Sequence, residues 1–200
     1  MTRALAGLAG IAAAVAGAAA YPAHGGAIAA FPDGPPPART GGFGEQSCRA
    51  CHFDNPSNEE GGELAITGVP AAYAAGGRYR ATIVLRRNEL HAGGFQLAAR
   101  FADGPSAGRQ AGALRAVDER AQVAAGGNDA ATAIQYAAHT RPGIVPSADG
   151  RIEWVIEWTA PATVGGAVVF HAAALAANGD DSALGDLVYT TRTTAHAAKP

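Results

Sequence analysis

The sequence predicts an all-β fold, an antiparallel sandwich, and three observations carry that expectation. Short segments alternate apolar and polar residues with period two. Glycine- and proline-rich runs such as "GVPAAYAAGG", "RPGIVPSADG" and "APATVGG" separate them. About eight such segments succeed one another at the spacing of a sandwich, in a chain of 200 residues that suits one domain.

The clearest segment is "IEWVIEW", where Ile152, Trp154, Ile156 and Trp158 share one face and Glu153 and Glu157 the other. Large aromatics dominate core burial, so both tryptophans are expected to be core anchors. "YRATIVLR" aligns Tyr79, Ala81, Ile83 and Leu85, and "FQLAARF" aligns Phe95, Leu97, Ala99 and Phe101. Further strands are expected at 64–68, 112–117, 133–140, 167–175 and 187–194. The stretch 110–125, "QAGALRAVDERAQVAA", also has the propensity for a short helix, and both readings stand at this point.

At the amino terminus, Arg3 precedes "ALAGLAGIAAAVAGAAA", which has the layout of a secretory signal over residues 1–20, cut before Tyr21 after the small residues Ala18 and Ala20. As a membrane anchor it is too alanine-rich, because a span takes about 20 strongly apolar residues. Residues 21–39 read as a Pro/Gly-rich linker, 40–60 as a separate cysteine-bearing segment, 61–194 as the sandwich and 195–200 as a tail. That tail, "AHAAKP", has no hydrophobic anchor. The expectation is an exported protein, periplasmic or secreted, without a stable membrane anchor. Fourteen of its fifteen basic residues are scattered arginines, with no basic stripe interleaved with aromatics, so nucleic acid is not an expected partner.

Both cysteines fall in "SCRACH", and Cys48, Cys51 and His52 form the C-x-x-C-H signature for covalent attachment of c-type haem. The spacing has a chemical basis. Two thiols three residues apart can each form a thioether to a vinyl group of one porphyrin, and in a helical turn His52 shares a face with Cys48 and can reach the iron. The competing readings are a Cys48–Cys51 disulfide, a thioredoxin-like thiol pair and a zinc site. The disulfide would close a tiny loop and stabilise little. A thiol pair calls for a βαβ context that the chain lacks, and zinc needs a fourth ligand.

The second axial position is narrowed by elimination. Met1 is the only methionine and lies in the signal, which excludes a His/Met haem within the mature chain. His24, His91, His139, His171, His196 and Lys199 remain, or the position is open. His139 and His91 fall at strand ends, where a side chain can project over a docked group. His139 is the first candidate and His91 the second.

The order of pieces "TGGFGEQSCRACH", "GELAITGVPAAYAAGGRYRATIVL", "GGFQLAARF", "YAAHT", "IEWVIEWTAPA" and "VVFHAAALAANGDDSALGDLVYTT" resembles the exported bacterial proteins known as the choice-of-anchor V domain family, themselves similar to the Reeler-type extracellular sandwich. The resemblance runs from about Thr40 to Thr194. It implies an Ig-like, Reeler-like sandwich of unassigned activity with C-x-x-C-H at its front, and its His-Thr pair supports His139 as the distal ligand.

In "NGDDSALGD", Asn178, Asp180, Asp181 and Asp186 could offer oxygens to calcium, but the loop lacks the alternation and closing glutamate of an EF-hand and uses ordinary turn residues. No nucleophile elbow, H-E-x-x-H or P-loop is present. The sequence therefore points to a monohaem c-type electron carrier, with an unidentified redox partner protein, rather than an enzyme. The alternative is a non-haem adhesion module that binds a glycan or protein and holds a Cys48–Cys51 disulfide.

Overall fold

The computed structural model describes residues 31–127, 132–163 and 165–198. The predicted signal, the first part of the linker, His24 and Lys199 lie outside the described residues. Among the described residues there are ten strands: β1 (Gly62–Thr67), β2 (Ala72–Tyr73), β3 (Arg78–Arg87), β4 (Ala92–Phe101), β5 (Ala113–Ala116), β6 (Ala121–Gly126), β7 (Ile134–His139), β8 (Arg151–Thr159), β9 (Val168–Ala177) and β10 (Leu187–Ala197). They form a four-stranded sheet in the order β1-β3-β8-β5 and a six-stranded sheet in the order β2-β10-β9-β4-β7-β6. The protein is an all-β sandwich. Among these ten strands every pairing is antiparallel except the short one between β2 and β10.

The core lies where the two apolar faces meet. Ile152, Trp154, Ile156 and Trp158 of β8 are all buried, facing Phe95, Leu97 and Ala99 of β4 and Phe170, Ala172 and Ala174 of β9. Phe95 stacks on Trp154 with ring centroids 4.6 Å apart, and Phe170 meets Trp158 edge-on at 4.9 Å. Each indole also donates a hydrogen bond to a carbonyl 2.9 Å away, Trp154 to Gly143 and Trp158 to Ala111. Burial of a large ring is thus achieved without orphaning its polar edge.

The stretch 110–125 is not a helix. It supplies β5 and β6, because Leu114 and Ala121 are needed in the core and strand pairing with β8 and β7 satisfies the backbone. Propensity yields here to tertiary pairing. β2 and β6 have no strand signal of their own in the sequence, being short or alanine-rich.

The outer face of the six-stranded sheet is also buried. Ala98 of β4 and Ala173 of β9 point away from the core and are 0% exposed, and Gln96 is 1% exposed. Residues 31–60 lie over them as a strap. Residues 31–39, the described part of the predicted linker, belong to this layer: Arg39 N–H donates to Gln96 Oε1 at 2.6 Å, and Gln96 Nε2 donates to the Pro36 carbonyl at 3.0 Å. The strap ends at the free edge of β10, where Asn58 N–H donates to the Val188 carbonyl at 2.9 Å and Thr190 N–H to Asn58 Oδ1 at 2.8 Å.

Replacing Trp158 with alanine removes the ring shared by Tyr73, Tyr79 and Phe170. The expected cost is about 3–5 kcal/mol of folding stability, measured by urea denaturation. A loss below about 1 kcal/mol would show that the sheets do not close on this ring.

Candidate functional site

Cys48–Ala50 is a 3-10 turn seated in the strap. Ser47 caps it by accepting from Arg49 N–H at 3.3 Å, and the Cys48 carbonyl accepts from both Cys51 N–H (3.2 Å) and His52 N–H (3.1 Å). These bonds hold the C-x-x-C-H segment as one helical turn, the geometry expected from its spacing. No disulfide joins the cysteines. Both residues are half-buried, and burial pushes the Cys48 thiol up to about 12. A thioredoxin-like pair needs a thiol shifted the other way, because the thiolate is the nucleophile.

His52 is oriented from a distant part of the chain. Its Nδ1–H donates to Asp186 Oδ2 at 2.7 Å, and Asp186, in the loop entering β10, is 1% exposed. The other carboxylate oxygen accepts from Asn178 N–H at 3.1 Å. Asn55 Nδ2 donates to the Asp186 carbonyl at 3.0 Å, and Gly185 N–H donates to Asp54 Oδ2 at 2.6 Å. Residues 52–55 and 185–186 are therefore laced together. A carboxylate only accepts, so the Nδ1 proton is fixed and the lone pair of His52 sits on Nε2, which makes no hydrogen bond among the described residues.

The strap is held by a buried carboxylate. Glu45 accepts from Thr40 Oγ1 (2.6 Å), Tyr136 OH (2.5 Å) and Arg100 Nη2, while Arg100 also donates to Tyr136 OH at 2.7 Å. The Arg100 guanidinium lies 4.5 Å over the Phe43 ring, and Phe43 meets His171 edge-on at 4.8 Å. Gly42 presses so closely on the His171 ring that a Cβ there would collide with it. Neither Asp186 nor Glu45 was identifiable from sequence as a partner of the motif. Asp186 is 134 residues from His52, and its local signal in the sequence was as a turn acid and candidate calcium ligand.

Both ring nitrogens of His139, the first distal candidate, are hydrogen-bonded in this structure. Its ring sits beside Phe95, where Phe95 N–H donates to Nδ1 at 3.0 Å and Nε2–H donates to the Phe31 carbonyl at 3.0 Å. Gly94 makes room for it, as a Cβ there would meet the ring. Both nitrogens are committed, and burial lowers the His139 pKa, the bonds to Phe31 and Phe95 and the nearby Asp33 opposing that shift. His91 is exposed at the turn before β4 and packs on Gly179; it forms no hydrogen bond to His52 or Asp186. His171 lies beneath the strap, and His196 is paired through its backbone with Ala71 at the end of β10.

Among the described residues no group of three or more His, Cys, Asp or Glu is placed to hold a metal ion by itself. Within the 178–186 loop, Asp180 accepts from Ser182 N–H at 2.9 Å and Asn178 Nδ2 donates to Asp180 at 3.1 Å. No described helix is long and apolar enough to cross a membrane.

No family profile matches the chain, and no curated protein matches it. Among solved structures the chain is similar to the human F-spondin reeler domain, at 18% identity and TM-score 0.46, covering 74% of this chain and 98% of that one. It is similar to the Reelin-N domain of F-spondin at 18% identity and TM-score 0.45, covering 76% and 96%. It is also similar to AvmM, which catalyzes macrocyclization in alchivemycin A biosynthesis, at 14% identity and TM-score 0.44, covering 71% and 91%. At these identities and scores the likeness transfers no function.

Two outcomes follow from the buried groups. Glu45→Ala leaves Arg100 charged and unpaired, and should cost about 3–5 kcal/mol in urea denaturation while exposing residues 31–60 to limited proteolysis. An unchanged midpoint and cleavage pattern would mean that the strap is not held by this carboxylate. His139 and His171 both have pKa values lowered, first by burial. The unfolded chain then binds more protons, so stability should be full above about pH 6.5 and fall as the pH drops toward 5. His139→Gln should flatten that slope, and an identical slope would remove His139 as its source.

Proposed function

We propose that the protein is an exported monohaem c-type protein that passes single electrons, with haem joined to Cys48 and Cys51 and His52 as its proximal ligand. The observation that carries this reading is the state of the motif. Two unpaired cysteines and a histidine lie on one capped turn, and His52 has Nδ1 tied to a buried carboxylate with Nε2 left over. Metal-bound histidines commonly donate their second nitrogen to such a partner. The surroundings fit a large apolar group: Phe53 is 55% exposed next to His52, and Leu184 is 54% exposed on the loop tied to Asp54. Bound haem supplies a one-electron ferric/ferrous couple whose potential follows its axial ligands and their hydrogen bonds.

The chain's own residues divide the remaining work. Cys48 and Cys51 tether, His52 ligates, Asp186 orients His52, and the strap fixes the turn to the sheet. His139 has both ring nitrogens bonded to Phe95 and Phe31, and the reading uses one axial ligand from this chain, His52. The exported location follows from the signal-like amino terminus, since c-type haem is joined to its protein outside the bacterial cytoplasm.

The test is intact mass and a pyridine haemochrome spectrum of protein made alongside the cytochrome c maturation machinery. One haem per chain is expected, with Cys48→Ser and Cys51→Ser each removing one thioether; colourless wild-type protein of unmodified mass overturns the proposal. His139→Gln should leave the spin state of the haem unchanged. A low-spin to high-spin conversion would return His139 to the axial position.

A further inference from the structure

We propose that Asp186 is the positioning residue that sets the tautomer of His52, so that an Asp186→Asn variant loses iron ligation more completely than an Asp186→Ala variant. The inference rests on the haem reading for its consequence at iron, but its geometric basis is independent of haem.

Asp186 has two fixed donors, one on each oxygen. The Asn178 backbone N–H occupies Oδ1 at 3.1 Å, and His52 Nδ1 lies 2.7 Å from Oδ2. The carboxylate is buried and held from both ends, by Asn55 on its own carbonyl and by Asp54 on the preceding amide. It cannot rotate out of this arrangement without breaking several bonds. With a carboxylate in place, both donors are satisfied, the proton of the neutral imidazole stays on Nδ1, and Nε2 keeps the lone pair that a metal requires.

An asparagine of nearly the same shape has one acceptor and one donor. The backbone N–H of Asn178 cannot change its chemistry, so the amide oxygen must face it. The amide NH2 then faces His52 Nδ1, which must become an acceptor. The imidazole proton moves to Nε2 and blocks the lone pair. Flipping the amide only transfers the donor–donor clash to Asn178. An alanine imposes neither tautomer: it leaves the Asn178 N–H and His52 Nδ1 without partners, yet Nε2 stays free to ligate. The two variants are thereby ordered oppositely for folding and for ligation. Asparagine keeps the bond to Asn178 and the packing, so it should be the more stable; alanine should be the better ligand support.

The test has two arms, both on the full chain. In reduced protein made without haem, 15N NMR of the imidazoles should show Nδ1–H for His52 in the wild type, Nε2–H in Asp186→Asn, and a mixture in Asp186→Ala. In haem-loaded protein, resonance Raman of the ferrous state should show the iron–histidine stretch at its highest frequency in the wild type and lower in Asp186→Ala. The band should be largely lost in Asp186→Asn, with ligation weakened about 10- to 100-fold, the scale for removing a ligand's own hydrogen-bond partner. Urea denaturation gives the stability order.

If ligation loss follows stability loss, with alanine worse than asparagine, Asp186 is merely structural and the inference is wrong. An unchanged His52 tautomer in Asp186→Asn also overturns it. If the wild type carries no haem while the NMR order holds, the haem reading fails and the tautomer assignment survives.

Discussion

A sheet with two buried faces needs two covers, and that constraint organises this molecule. The six-stranded sheet presents its aromatic and aliphatic face to the four-stranded sheet and a face of small and polar residues to the strap. Alanines at 98 and 173 let the strap's backbone approach closely, but they offer little apolar area to hold it. Polar bonds make up the difference. Glu45 gathers Thr40, Arg100 and Tyr136 around one carboxylate, and Gln96 binds the strap's backbone at two points. Buried charge of this kind contributes specificity of position more than net stability, because desolvation offsets much of the attraction.

That positioning is what brings the cysteine motif to the sandwich. The turn Cys48–Ala50 comes directly after the Glu45 anchor, and Ser57 and Asn58 are fixed to β10 a few residues later. Between two fixed points the chain has little freedom, so His52 falls beside the loop that enters β10. Asp186 closes the connection. The cysteine-bearing segment is therefore part of a third layer, with its histidine oriented by the domain on which it lies.

The histidines show how the same residue type acquires different roles. His139 replaces a strand-pairing bond, accepting from Phe95 and donating to Phe31, and is spent on structure. His171 is a contact surface for Gly42 and Phe43. Among the described residues, only His52 combines one committed nitrogen with one uncommitted nitrogen and a pair of adjacent thiols. Strand-end position, which made His139 the leading axial candidate, describes where a side chain starts and not where its hydrogen bonds go.

What the sequence determined by itself is local in origin. The period-two alternation of 152–158 specifies a half-buried strand whatever surrounds it, and both tryptophans lie on the face that the pattern assigns them. The close spacing of Cys48, Cys51 and His52 likewise places all three on a single turn. Tertiary structure decided what depends on partners far apart in the chain. Residues 110–125 became strands because β7 and β8 offered backbone bonds that propensity cannot register. A proline-rich stretch became a cover because the sheet beneath it had alanines and Gln96 to receive it. Asp186 became the partner of His52 across 134 positions, because hydrogen bonds depend on distance in space and a sequence records only distance along the chain.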